Sequence, residues 1–256
     1  MIRSVQPRIL MYHSINELSP DPNGACTSPG RFQAQMRHLK QRNLQGVSLR
    51  ELRRAESLGE ASGLVGLTFD DAYEDFLKVA LPVLESFDFS ATVFVVSGLT
   101  GRENEWEHEF PPRPRLKLLS ADGVREVSEC GMEVGAHGMS HIKLGRIEPD
   151  LLREEIEGSR RELRKLLGRD VEGFCYPYGS LDGAAIQAVK EAGYEYACAV
   201  ASHREWDNYS LPRIPVSEKD TLPRFAAKLS IYSQYESVKG KMRKYIYVGR
   251  RRATRV

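Results

Sequence analysis

Two kinds of apolar pattern alternate along this chain. Short, nearly continuous apolar runs occur at Arg8 to Tyr12, Leu64 to Phe69, Ala91 to Val96, Met132 to Val134, Phe174 to Tyr176, Tyr196 to Val200 and Leu211 to Val216. Their length and their β-branched and aromatic content predict buried strands. Between them, apolar residues recur at helical spacing: Phe32, Met36 and Leu39; Phe76, Val79, Ala80 and Val83; Ile147, Leu151, Ile156, Leu163 and Leu166; Ile186 and Val189. Punctuation agrees with these helices. Ser28-Pro29 and Ser120 stand at helix starts, Gly131 and Gly193 at stops, and Pro82 at a kink or boundary. About six or seven strand-then-helix units predict an α/β fold with a largely parallel sheet and helices outside, either a barrel or a doubly wound sheet. The 256 residues could form one large domain or two small ones, and no repeat or low-complexity linker divides them. The expected organisation is a domain over residues 1–230 followed by a basic tail over 231–256.

In either α/β fold, ligands gather at the carboxyl ends of the strands. His13, Asp70, Asp71, His137, His141 and Tyr178 all stand just after predicted strands. Adjacent carboxylates at the end of a buried strand are expensive to place there unless something cationic meets them. Alternation along an extended chain would point Asp70 and Asp71 to opposite sides, so one could hold a metal while the other handles a proton. Asp71 with Glu74 also has the form of a helix capping box. His137 and His141, four residues apart, lie on one face of a helical turn or on the two sides of a tight loop. With a carboxylate they supply three ligands for a divalent metal and leave room for water and substrate. The loop from Ser97 to Leu119 is the longest, and Trp106 in its middle is a candidate cover for a pocket.

Composition narrows the classes. Apolar residues make up 41% and charged residues 28%, as in ordinary globular proteins, and no run is long enough for a membrane span. Met1 to Pro7 lacks the apolar core of a secretory leader, so the expected location is cytoplasmic. Cys26, Cys130, Cys175 and Cys198 form no C-x-x-C pair and are expected to be reduced and mostly buried. The net charge of +2 conceals eight Lys or Arg and no acid between Lys239 and Val256, leaving −6 on the remainder. An acidic body excludes a nucleic-acid-binding face. The basic tail is either a solvated end or a peripheral contact with an anionic membrane at its inner face. No obligate protein partner is implied.

Thr68-Phe69-Asp70-Asp71, His137-Gly138-Met139-Ser140-His141 and Phe174-Cys175-Tyr176-Pro177-Tyr178-Gly179 together resemble the three motifs of the polysaccharide deacetylases with a NodB-homology domain, carbohydrate esterase family four. The resemblance runs from Ile9 to about Val216. It implies a distorted (β/α) barrel of about seven parallel strands and a metal, usually Zn2+. It also implies hydrolysis of acetyl groups from N-acetylated sugars of a polysaccharide or its lipid-linked precursor. Asp70 would be the base, Asp71, His137 and His141 the metal ligands, and Pro177 and Tyr178 the groove wall and oxyanion donor. The chain departs from the family pattern at Gly138, where Ser or Thr is common, at Cys175, where an Arg is common, and in lacking a late Leu-x-His. Ile9-Leu10-Met11-Tyr12-His13-Ser14 and Leu211-Pro212-Arg213-Ile214 resemble a subgroup involved in exopolysaccharide modification. There an N-terminal His donates the proton and a late Arg takes the missing Arg's place, which gives His13 and Arg213 those roles. A glycan-binding relic without turnover, an O-deacetylase, or a hydrolase of another C–N bond on the same scaffold are the alternative readings.

Overall fold

The structure, a computed structural model, describes residues 8–17, 21, 24–105, 115–200 and 207–230. Trp106 and the basic tail lie outside the described residues. The strands are β1 (Ile9–Tyr12), β2 (Ser14–Ile15), β3 (Cys26–Thr27), β4 (Gln45–Val47), β5 (Leu64–Phe69), β6 (Thr92–Val95), β7 (Glu133–Ala136), β8 (Gly173–Cys175), β9 (Tyr196–Cys198) and β10 (Ile214–Pro215). The helices are α1 (Pro29–Gln41), α2 (Leu49–Leu58), α3 (Leu81–Ser86), α4 (Ala121–Glu129), α5 (Pro149–Arg153), α6 (Ser159–Leu167) and α7 (Gly183–Glu191). Residues 222–230 are also helical, around the buried Phe225.

Seven parallel strands in the order β10-β1-β5-β6-β7-β8-β9 curl into a half-barrel with helices around it, the barrel of the two alternatives and the one the family resemblance implies. β4 pairs with the first half of β5, and β2 and β3 form a separate two-stranded pair. The segment before β10 leans on β9, where Leu211 donates to the Ala197 carbonyl and accepts from the Ala199 N–H, both at 2.9 Å. Beyond it, the Val216 N–H donates to the Met11 carbonyl at 2.9 Å. The last strand thus bridges β9 to β1 and carries residue 213 between them.

Aromatic packing fixes the neighbours that matter for the site. Phe69, the last residue of β5, stacks on Tyr12 of β1 at 5.4 Å and meets Phe76 edge-on at 4.9 Å. Phe32 of α1 packs edge-on against both Tyr12 and Phe69. Such pairs contribute about 0.5–1.5 kcal/mol each beyond area burial. They lock β1 beside β5 in the register Tyr12↔Phe69, so His13 leaves the sheet at the same level as Asp70.

Two elements differ from the sequence reading. Residues 42–63 carried no expectation, yet they form β4 and α2. Ser48 caps α2 with a full capping box closed by Glu51, and Gly66 lets the helix approach, since a Cβ there would meet Leu49 and Leu52 of α2 at 2.8 and 3.0 Å. Leu151 is exposed (46%), and Leu152 takes the core position. Leu152 stands four residues before Ile156, whereas Leu151 is five before it and out of phase.

Candidate active site and metal centre

The carboxyl ends of β1, β5, β7 and β8 meet at one cluster. His137 follows β7, and its N–H donates to the Val95 carbonyl at 2.8 Å. The loop that returns to His141 is not helical; Gly138 and His141 both have φ in the left-handed region, +76° and +60°. Asp71 and Ala72 also have positive φ, +71° and +57°, and so does Tyr178 at +58°. Non-glycine residues held there cost about 1–3 kcal/mol each and gather at functional sites. The turn at Asp71 gives the Asp pair its separate directions, so the division comes from left-handed backbone and not from strand alternation. Asp71 caps no helix: Asp75 is the residue that precedes the helical turn at Phe76, and Glu74 pairs with Lys78.

Asp71 is 1% exposed, and its Oδ1 lies 3.4 Å from His137 Nε2 and 3.2 Å from His141 Nε2. His137 Nδ1 lies 2.7 Å from the Cys175 carbonyl. A carbonyl only accepts, so Nδ1 carries a hydrogen and Nε2 is the ring atom that faces Asp71. Burial acts to lower the His137 pKa, but Cys175, Asp71 and Asp70 outweigh it and raise it well above the imidazole value. For Asp71, burial acts to raise the pKa, while His141 and His137 hold it well below the carboxylate range. One carboxylate and two imidazoles whose ligand atoms lie within 4.8 Å of one another are a donor set that fits a divalent metal.

Asp70 faces the other way and is held by Arg213. Both are buried, at 3% and 1% exposure. The guanidinium forks onto the carboxylate, Nη1 to Oδ1 at 2.6 Å and Nη2 to Oδ2 at 2.7 Å. Nη1 also donates to Thr68 Oγ1 at 3.1 Å and Nε to the Ala199 carbonyl at 3.3 Å. Cys175 fits beneath this pair: Arg213 Nη2 donates to its Sγ at 3.1 Å, and Sγ lies 3.6 Å from Asp70 Oδ2. Burial pushes the Cys175 thiol up, so it remains S–H. Burial alone would raise the Asp70 pKa, but Arg213 above all keeps it below the usual value.

His13 is half-buried at the end of β1, near enough for its charge to lower the pKa of both Asp70 and Asp71. Asp75, which the sequence reading missed, fixes the chain just beyond it by accepting from Ser14 Oγ at 2.5 Å and from the Ile15 N–H at 3.0 Å. Tyr178 packs against His141 with ring centroids 4.6 Å apart and the rings tilted by 56°, and is 36% exposed, forming a wall beside the cluster. Lys143 Nζ lies 5.5 Å from its ring centroid. Pro177 is buried under this wall, facing Gly138. Glu155, also missed, is 3% exposed behind the His137–His141 loop. The sign of it was available: a Glu beside Ile156 on the buried stripe needs a buried partner.

The polysaccharide deacetylase family profile matches residues 59–197, more than half of the chain, and the chain belongs to that family. Poly-β-1,6-N-acetyl-D-glucosamine N-deacetylase of Staphylococcus aureus (strain MRSA252) is 24% identical over 201 residues, 75% of this chain and 68% of the relative. The structure of Streptococcus pyogenes deacetylase PplD in complex with acetate is 27% identical, with a TM-score of 0.73 over 88% of this chain and 98% of that one. IcaB from Ammonifex degensii, at 23% identity and a TM-score of 0.74, covers 91% and 98% and shares the fold.

Proposed function

We propose that the protein is a metal-dependent hydrolase that removes acetyl groups from N-acetylhexosamine units of a polysaccharide or its lipid-linked precursor. The single observation that carries this reading is the pairing, within one cluster, of a buried Asp-His-His donor set with a second Asp locked by a buried Arg. Asp71, His137 and His141 would hold the cation, with zinc the best match to two imidazoles and a carboxylate. When bound, it supplies Lewis-acid polarisation of the acetyl carbonyl and lowers the pKa of water towards about 7.

The chain's own groups then divide the proton work. Asp70, ionised and oriented by Arg213, accepts a proton from the attacking water. His13 returns a proton to the departing amine nitrogen. The Tyr178 N–H faces the developing oxyanion, and the Tyr178 ring with Pro177 walls the groove.

Gly138 and Cys175, two of the departures from the family pattern, both have counterparts. Arg213 reaches Asp70 from just before β10, past the small Cys175 side chain, and Glu155 contacts the loop that Gly138 opens. The relative's name makes oligomers of β-1,6-linked N-acetylglucosamine the first substrate to test. Acetate release from them by zinc-loaded protein, abolished by Asp70→Asn, is the expected result. No acetate from any N- or O-acetylated glycan would sink the proposal, and release only from acetate esters would turn it into an O-deacetylase.

A further inference from the structure

The His137–His141 loop is gripped from two sides. On its carbonyl side, the Ser97 N–H donates to the Gly138 carbonyl and the Gly98 N–H to the Met139 carbonyl, both at 3.0 Å. On its amide side, Glu155 Oε2 accepts from the Met139 N–H at 2.9 Å and the Ser140 N–H at 3.1 Å. Glu155 Oε1 accepts from the Ser140 hydroxyl. Backbone amides that converge on one carboxylate give strong, charge-assisted bonds. Glu155 reaches them from the π-turn Glu154–Gly158, the one-residue widening between α5 and α6. The carboxylate occupies the space a side chain at position 138 would need: a Cβ there would lie 2.8 Å from Oε2, and the φ of +76° already favours glycine.

We infer that Glu155 is a positioning residue that holds the His137–His141 loop in its cation-binding shape, and that Gly138 is glycine to admit it. The inference rests on the reading of Asp71, His137 and His141 as cation ligands. Both histidines sit at the ends of the five-residue segment whose central amides Glu155 clamps. Releasing those amides frees the His141 backbone from its left-handed conformation and lets the two Nε2 atoms drift apart. Groups behind the ligands that orient them are worth about 10–100-fold in metal affinity.

The test is zinc binding by the full chain, measured by competition with a chromophoric chelator. Amide hydrogen exchange at Met139 and Ser140 in the metal-free protein and thermal unfolding accompany it. Glu155→Ala is expected to weaken zinc binding about 10–100-fold and to speed exchange at both amides. Glu155→Gln, whose amide oxygen still accepts, is expected to recover part of both. Gly138→Ala should weaken binding in the native background and do so less on top of Glu155→Ala, because the carboxylate it displaces is then gone. Should Glu155→Ala fail to fold, the Gln variant and Ser140→Ala carry the same ranking. Native zinc affinity and native exchange in Glu155→Ala would overturn the inference while leaving the site reading intact. A native protein that binds no zinc would overturn both.

Discussion

At the scale of single residues, His13 and Arg213 distinguish this site. If His13 protonates the leaving amine, His13→Ala should keep zinc content and fold while turnover on an N-acetyl substrate falls about 10²–10⁴-fold. The loss should be much smaller on an activated acetate ester, whose leaving group needs no proton; parallel rate measurements on the two substrates decide it. Arg213→Ala strands Asp70 in a buried site. Removing one partner of such a pair costs about 3–5 kcal/mol, readable by urea unfolding. Its effect on rate has a definite sign. Asp70 must be ionised to act as base, Arg213 holds its pKa down, and burial alone would raise it. The acidic limb of the rate profile should therefore move to higher pH in Arg213→Ala, and an unmoved limb would separate Arg213 from the base. Asp70 and His137 were legible because each follows a strand directly, and Asp71 and His141 because they stand one and four residues beyond them. Arg213 lies 143 residues from Asp70, and apart from the family resemblance its surroundings offered only an arginine among Leu211, Ile214 and Val216. Such an arginine must be buried and paired, but nothing local names the partner.

Elements add constraints that residues do not show. The floor of the sheet is organised by Glu133, at the start of β7, which is 2% exposed. It accepts from the Arg50 N–H of α2 at 2.8 Å, from Thr92 Oγ1 of β6 at 2.7 Å and from the Tyr196 hydroxyl of β9 at 2.7 Å. Burial raises its pKa, and these bonds offset only part of that. A carboxyl whose folded pKa is raised favours the folded state at low pH and loses that contribution as pH rises through the folded value. Glu133→Gln removes the ionisation, so its melting temperature relative to the native protein should climb between pH 4 and pH 7, on the order of the usual carboxyl range. A pH-independent difference would mean that Glu133 titrates alike in the folded and unfolded chain, and would overturn the raised pKa. The order of elements was readable from alternation, and the β5 bounds match the apolar run from Leu64 to Phe69. β4 and α2 were missed because β4 is three residues long and α2 has only Leu49 and Leu52 fully buried. Their one clear mark is the capping box at Ser48.

For the whole molecule, no helix among the described residues is long and apolar enough to cross a membrane. We propose that the basic segment from Lys239 to Arg255 holds the protein against an anionic lipid surface. Each Lys or Arg near such a surface contributes about 1 kcal/mol. Co-sedimentation with phosphatidylserine vesicles should fall sharply when residues 239–256 are deleted; binding unchanged by the deletion would exclude this role. The parallel sheet followed from the strand–helix pattern and its curl from the family resemblance, but the place of β10 did not, since a two-residue strand has no periodicity to read. That placement has a consequence for how activity arises. The proposed cation ligands come from residues 71 to 141, in the middle of the chain, whereas His13 and Arg213, proposed to manage the protons, are delivered by the neighbouring strands β1 and β10. Synthesis therefore completes the ligand set some seventy residues before the base is secured. On that reading, a nascent or clipped chain ending short of residue 211 would load its cation yet remain inert, and hydrolysis would wait for the last strand to dock.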